Sequence, residues 1–156
     1  MTLLPSAKLP ALPVAAESLV PHRGPMLLID RLVSCTGVGG TVEARVKADN
    51  PFLGPSGELE PLAAVELLAQ AFAACKGYAD LADGSGPGKG FLVGARKVVT
   101  HDVARVGDVL QVNVAAKGEF DGFAVVEGEV RHDGRLVATG SLKLWVPREG
   151  RAGEEC

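Results

Sequence analysis

Glu66 and Gln70 are the residues whose types and spacing best suit chemistry. They lie one helical turn apart within residues 62–75, a run that is otherwise almost entirely apolar. In a helix this spacing places both side chains on one face. Apolar surroundings disfavour the charged form of a carboxylate, which suits Glu66 to donate a proton as a general acid. The alternatives are structural: Glu66 points out through a gap in a sheet or into a dimer interface, and Gln70 satisfies a backbone group instead of holding water or substrate.

The three histidines are further candidates for acid–base work. His22 either takes part in chemistry or fastens the segment that enters the first strand, with Arg23 pairing with Asp30 or with a carboxylate elsewhere. We expect His101, near the end of a strand, to serve a surface role. His132 precedes an Asp-Gly pair and is interpreted as a turn residue.

Other residues that often carry chemistry do not form a recognisable site. Cys35, Cys75 and Cys156 are odd in number and widely spaced, so neither a disulfide framework nor a zinc site is predicted. Residues 84–90 read GSGPGKG, which does not meet the phosphate-loop spacing and is interpreted as a flexible connection. Ser56 has no neighbouring His or acid that would mark a nucleophile.

Turn residues and helix-start residues along the chain predict two strands, one helix and then four strands. Asp-Gly pairs at 121–122 and 133–134 are two-residue hairpin signals, and Pro61 suits the first turn of a helix. A turn is predicted at 37–40. The predicted strands are 26–34, 41–48, 91–99, 109–116, 123–131 and 135–146, and the predicted helix is 61–82.

The predicted helix is apolar nearly all the way round as far as Cys75, so it must be buried on several sides. One such helix and one large antiparallel sheet bury each other only if the sheet curls around the helix. This α+β pattern resembles the hotdog fold, an antiparallel sheet wrapped around one long central helix. We expect an N-terminal tail at residues 1–17, the hotdog domain at 18–147 and a flexible C-terminal tail at 148–156.

Two segments carry a more specific resemblance. Residues 21–31 read PHRGPMLLIDR and residues 65–70 read VELLAQ. Together they resemble the 3-hydroxyacyl-(acyl carrier protein) dehydratases of fatty-acid synthesis. The similarity favours a divergent branch of that family, the dehydratase-like proteins of aryl polyene and related lipid biosynthesis.

The resemblance implies dehydration of a 3-hydroxyacyl thioester carried by acyl carrier protein or coenzyme A. Glu66 would be the general acid and His22 the candidate base. Gln70 would orient or bind the substrate, and Phe72 would line an apolar tunnel for the acyl chain. No metal or organic cofactor is implied, because the thioester itself acidifies the α-carbon.

Two departures from the family pattern leave the reaction open. The loop at residues 51–61 (PFLGPSGELEP) lacks the His that the family uses as base, and Pro61 stands where a family Gly offers its N–H to the thioester carbonyl. The alternatives are therefore a hotdog acyl-thioesterase, in which the helix carboxylate acts without a His, and a non-catalytic partner subunit of an active dehydratase.

Composition places the chain among ordinary globular proteins, with 47% apolar and 22% charged residues. The net charge of −3 and the absence of a Lys/Arg-rich stretch argue against nucleic-acid and anionic-membrane partners. No signal peptide or spanning segment is predicted, so we expect a cytoplasmic protein. The family resemblance implies a homodimer or higher oligomer, or a heteromer with a related dehydratase.

Overall fold

The computed structural model describes residues 9–82, 84 and 90–147 of the 156-residue chain. Within them lie one long helix and seven strands: β1 (Val14–Ala15), β2 (Arg31–Cys35), β3 (Gly39–Arg45), α1 (Leu62–Ala82), β4 (Phe91–Thr100), β5 (Val109–Phe120), β6 (Phe123–His132) and β7 (Arg135–Trp145). The predicted C-terminal tail, residues 148–156, lies outside the described residues. So do residues 1–8 of the predicted N-terminal tail and residues 85–89 of the predicted glycine-rich connection.

The strands form one antiparallel sheet in the order β1-β2-β3-β5-β6-β7-β4. Two-residue turns join β5 to β6 and β6 to β7, as the Asp-Gly pairs predict. A type I′ turn requires positive φ at both central residues. The four residues have it: Asp121 (51°), Gly122 (83°), Asp133 (48°) and Gly134 (81°). Strands β5, β6 and β7 therefore form two consecutive hairpins, as their turn residues predict. Strand β4 pairs with β7 and lies at the edge of the sheet.

The sheet wraps around α1, which begins at Leu62, one residue after the predicted start at Pro61, and ends at Ala82 as predicted. Leu68, at the centre of the helix, is fully buried and packs over β6 at Gly128, where a Cβ would lie 2.5 Å from a Leu68 methyl carbon. The floor of the core beneath the helix comes from β5, β6 and β7, whose inward residues Val112, Val126 and Leu142 are at most 1% exposed. Burial on one face of a large curved sheet is what positions the helix and its polar side chains.

The segment that precedes β2 is not a strand, so the predicted strand 26–34 begins only at Arg31. The Met26 carbonyl and the Leu28 N–H bond to the side chain of Gln70 on α1. Backbone groups that are committed to a side chain cannot also join a strand ladder. Apart from Met26, the apolar residues of this segment are partly or fully buried against α1, and their apolar character does not reflect pairing in the sheet.

The sheet also extends beyond its predicted limits. Val14–Ala15 lies within residues 1–17, the predicted tail, and pairs with β2 at the edge of the sheet. Gly39 belongs to β3, although a turn is predicted at 37–40. A Cβ on Gly39 would overlap a backbone carbonyl oxygen of β5, so the close pairing of these strands needs a glycine there. A glycine required by close approach is indistinguishable in sequence from a glycine that makes a turn.

Candidate active site

Gln70 holds the site together from inside the core. It is completely buried, and its side-chain oxygen accepts a hydrogen bond from the Leu28 N–H at 2.9 Å. Its amide nitrogen donates to the Met26 carbonyl at 2.7 Å and to Glu66 Oε1 at 2.9 Å. Because one backbone partner is a donor and the other an acceptor, they fix which way the amide points. Gln70 therefore satisfies backbone groups and positions Glu66. It is not among the described residues that line the cavity introduced below, and its predicted role in binding substrate stays a prediction.

His22 lies beside the same carboxylate. The His22 Nε2 and Glu66 Oε1 atoms are 3.6 Å apart, and the two side chains are 29% and 24% exposed. This distance is close contact but longer than a hydrogen bond. The other ring nitrogen, Nδ1, is buried and has no hydrogen-bond partner among the described residues. The structure thus brings together the two residues predicted to act as acid and base, with the Nε2 edge of the ring toward the carboxylate.

Arg23 braces the segment that carries His22. Its guanidinium donates to the carbonyl oxygens of Val20 at 2.8 Å and of His22 at 2.7 Å. It lies 3.7 Å from Glu17, whereas Asp30 pairs with a lysine of the loop after β3. The carboxylate beside Arg23 is therefore Glu17 and not Asp30.

An apolar cavity of about 350 Å³ borders His22 and Glu66. Helix α1 contributes the small side chains Ala69 and Ala73 along one wall, together with Phe72, which is mostly buried. The remaining lining residues come from the segment before β2, from the second half of α1, and from β4 and β7 with the residues directly next to them: Pro21, Lys76, Gly77, Gly90, Phe91, Leu92, Leu144 and Val146. A cavity of this size and character suits an acyl chain, with two polar groups to act at one position along it.

The start of α1 lies at a different cavity. Pro61 and Ala64 border a separate cavity of about 20 Å³, and neither borders the cavity that holds Glu66. Pro61 has no N–H, and the Ala64 N–H already donates to the Pro61 carbonyl. The first turn of the helix therefore offers no carbonyl-binding donor to the acyl cavity from Pro61 or Ala64.

The other candidates from the sequence lie away from this cavity. His101 Nε2 lies 3.3 Å from Thr139 Oγ1 on the surface. His132, interpreted from the sequence as a turn residue, is the last residue of β6 and directly precedes the turn at 133–134. Cys35 and Cys75 are free thiols in contact with each other, and burial raises the pKa of the Cys75 thiol to about 12. Such a thiol is a poor nucleophile. No group of His, Cys, Asp and Glu able to hold a metal ion occurs among residues 9–82, 84 and 90–147.

Lys76 is the charged residue of the cavity that the sequence analysis did not single out. It borders the cavity together with Glu66, ten positions earlier on α1. The signal was present in the sequence, because positions 66, 69, 73 and 76 fall on one helix face.

Solved structures share this architecture. The chain is similar to a chain of the dehydratase heterocomplex ApeI:P from Xenorhabdus doucetiae, with a TM-score of 0.79 and 26% identity over 90% of this chain and 94% of that one. It also matches a hypothetical thioesterase from Streptococcus pneumoniae, solved with coenzyme A, with a TM-score of 0.57 and 15% identity over 74% and 84% of the two chains. The latter likeness shows the fold alone. The chain has the hotdog fold, which confirms the predicted fold class.

Sequence comparisons place it within that fold. The ApeP-like family, described as ApeP dehydratase, matches residues 14–153. The 3-hydroxyacyl-(acyl-carrier-protein) dehydratase FabZ of Shewanella woodyi is 32% identical over 130 residues, 80% of this chain and 85% of the relative. FabZ of Streptococcus thermophilus is 30% identical over 133 residues, 85% and 94% of the two chains. The chain belongs to the ApeP-like dehydratase family, and its function class is that of a 3-hydroxyacyl dehydratase-like protein.

Proposed function

We propose that the chain removes water from 3-hydroxyacyl thioesters, with Glu66 as the general acid and His22 as the general base. One observation carries this proposal: the two side chains, 3.6 Å apart, border the same apolar cavity. We further propose acyl carrier protein or coenzyme A as the carrier, in fatty-acid or polyene-type lipid biosynthesis. The names of the FabZ relatives support a carrier-protein substrate.

The reaction takes a proton from the carbon beside the thioester carbonyl and a hydroxyl from the next carbon. His22 Nε2 accepts the proton, and the electron pair of that C–H bond forms the double bond. The C–O bond breaks as Glu66 gives its proton to the departing hydroxyl, which leaves as water. The two reacting carbons are adjacent, which suits an acid and a base that lie side by side.

The surrounding residues divide into positioning and binding roles. Gln70 holds the carboxyl oxygen of Glu66 through a hydrogen bond of 2.9 Å and is itself fixed by the backbone. Phe72 and the alanines of α1 line the cavity along which the acyl chain lies. A group fixed by its supports needs no reorganisation when the substrate arrives.

The free edge of β4 supports a proposed dimer. Phe91, Leu92 and Val93 are each about half exposed along this edge, and the first two also border the cavity. An exposed apolar edge strand is a ready surface for pairing with another chain. A partner on β4 would bury these residues and cover one side of the cavity.

A heteromer with a related dehydratase is the form of assembly that the site itself favours. Residues 51–61 contain no His, and the start of α1 offers no N–H at Pro61. A related subunit that retains those groups would supply them. The similarity to a chain of a dehydratase heterocomplex supports this arrangement.

We also propose a cytoplasmic location. No helix in the described part of the chain has the length and apolar character needed to cross a membrane. The three cysteines are odd in number and widely spaced, and a chain without a disulfide framework fits a reducing compartment.

The test is an assay of the purified chain, alone and mixed with a related dehydratase, on 3-hydroxyacyl and enoyl thioesters. The ultraviolet band of the enoyl thioester and the release of free thiol are followed together. We expect the enoyl band to change without thiol release. Thiol release would instead indicate an acyl-thioesterase. Inactivity alone and no added turnover in the mixture would indicate a non-catalytic subunit.

A further inference from the structure

One face of α1 carries a carboxylate and an ammonium at the two ends of the acyl cavity. Glu66, Ala69, Ala73 and Lys76 follow one another at spacings of three, four and three residues, and all four border the cavity. With a rise of 1.5 Å per residue, the backbones of Glu66 and Lys76 lie about 15 Å apart along the helix. The alanines between them leave open the space that larger side chains would fill.

The charge of Lys76 has no partner within the described part of the chain. Among residues 9–82, 84 and 90–147, its ammonium makes no hydrogen bond and no ion pair, although the side chain is partly buried. Glu66 is the sole carboxylate among the described residues that border the cavity. The residues of β7 and of the segment after it that line the same cavity, Leu144 and Val146, are apolar. Asp80 lies one helical turn further along α1 but is not among the described residues that line the cavity. A cation that borders an apolar cavity and has no ion pair among the described residues is able to bind an anion.

We propose that Lys76 binds an anionic group of the substrate at the end of the cavity opposite to Glu66. This inference rests on the proposed function, because it takes the cavity as the place where an acyl thioester lies. The anion has two chemical sources: the phosphate at the far end of a phosphopantetheine arm, or a carboxylate at the far end of the acyl chain. Either source makes Lys76 a specificity-determining residue, because its ammonium increases the affinity for ligands that carry a negative charge at a set distance from the reacting carbons.

The competing explanation is that Lys76 lays its aliphatic stem along the alanines and holds its ammonium in water. In that case the ammonium contributes nothing to ligand affinity. A measurement of binding, rather than of turnover, separates the two explanations.

Trp145 offers such a measurement. It is the single tryptophan of the chain, and its ring stacks on that of Phe91 at 5.7 Å between centroids. Phe91 borders the cavity, so an occupied cavity changes the surroundings of the stacked pair. Tryptophan fluorescence therefore reports ligand binding directly.

The experiment titrates three octanoyl amides, in which nitrogen replaces the thioester sulfur so that neither dehydration nor hydrolysis occurs. One carries neutral pantetheine, one carries phosphopantetheine, and one carries neutral pantetheine with a carboxylate at the end of the acyl chain. The proteins are the unaltered chain, Lys76→Met, Lys76→Arg and the control Lys117→Met, which removes an exposed lysine of β5 away from this cavity.

We expect one of the two anionic ligands to bind the unaltered chain about tenfold more tightly than the neutral ligand. That ligand identifies the source of the anion. Lys76→Met removes the advantage without weakening the neutral ligand, Lys76→Arg keeps much of it, and Lys117→Met leaves it unchanged.

Equal affinity of the unaltered chain for all three ligands would overturn the proposal for Lys76 alone. An equal loss of the advantage in Lys117→Met would also overturn it, because the effect would then be general charge attraction. Failure of every ligand to bind would overturn both this proposal and the proposed acyl-thioester function.

Discussion

Two histidine–carboxylate pairs of nearly equal geometry lie in different parts of the molecule. His22 Nε2 is 3.6 Å from Glu66 Oε1, and His132 Nε2 is 3.7 Å from Asp108 Oδ1. The first pair borders the cavity beside α1. The second lies at the turn between β6 and β7, where Asp133 Oδ2 also comes within 3.4 Å of the ring. The distance between acid and base therefore does not separate the two pairs.

What separates them is access and support. Glu66 faces an acyl-sized cavity and is held by a completely buried amide, that of Gln70. Asp108 accepts a hydrogen bond from the Arg105 N–H within a surface turn, and Asp133 is 86% exposed. Exposure to water does not separate them, because the side chains of His22 and Glu66 are 29% and 24% exposed and those of His132 and Asp108 are 16% and 25% exposed. The difference teaches that a catalytic assignment depends on what surrounds a pair of residues, and the following predictions test it.

The largest effect is expected from removing the acid. Glu66→Gln keeps the size of the side chain and the acceptor for Gln70, but it cannot protonate the leaving hydroxyl. We expect kcat for dehydration to fall about 10²–10⁴-fold. Asp108→Asn is the matched change in the other pair and should alter kcat by less than about twofold. Equal effects of the two variants, measured at saturating 3-hydroxyacyl thioester, would erase the distinction between the pairs.

A smaller loss is expected from removing the base. His22→Gln should lower kcat about 10²-fold with little change in KM, because it removes a proton acceptor and leaves the cavity in place. His132→Gln should leave both constants within about twofold of their original values. Thermal melting of each variant verifies that it is folded. Full activity of a folded His22→Gln protein would assign the base to another residue or to a partner subunit.

The support of the acid is expected to matter for stability as well. Gln70→Leu leaves the buried Leu28 N–H and the Met26 carbonyl without partners, so we expect the free energy of unfolding in urea to fall by about 3 kcal/mol. Arg135→Ala removes an exposed group beside His132 and should cost less than about 0.5 kcal/mol. Similar losses in the two variants would show that the Gln70 network contributes no special support.

The smallest effect concerns the exclusion of water from the Cys75 thiol, which is buried between α1 and the sheet. Burial raises the pKa of the Cys75 thiol from 9.0 to about 12, and the adjacent Cys35 thiol adds to the rise. Between these values the unfolded chain loses the proton while the folded chain keeps it, so stability is full below pH 9 and falls as the pH rises. At about pH 10 we expect the unfolding free energy to be about 1 kcal/mol lower than at neutral pH because of this group.

Cys75→Ala isolates that contribution. The variant should lose about 1 kcal/mol less than the unaltered chain over the same pH interval, as measured by urea unfolding. Identical pH dependence of the two proteins would mean that water reaches this side of the helix.

Local signals explain why most elements could be predicted from the sequence. The two Asp-Gly turns are determined by the φ values that their own residues accept, and α1 is determined by a long apolar run after Pro61. Glu66 and Gln70 follow from the same run, since two polar residues one turn apart must share a face of the helix.

The errors arise where tertiary contacts override local pattern. Residues 26–30 have the composition of a strand, but a side chain of α1 takes two of their backbone bonds. Gly39 looks like a turn and is a strand residue because β5 approaches it closely. The distance between His22 and Glu66, and the space beside them, depend on how the segment before β2 folds onto the helix, which no spacing in the sequence specifies.

The most direct test of Glu66 as the catalytic acid is a crystal structure with a 3-hydroxyacyl pantetheine amide bound. The ligand hydroxyl is predicted to lie within hydrogen-bond distance of the Glu66 carboxyl group, with the α-carbon toward His22 Nε2 and the acyl chain along Ala69 and Ala73. A ligand seated elsewhere, or one whose hydroxyl lies away from Glu66, would contradict that assignment.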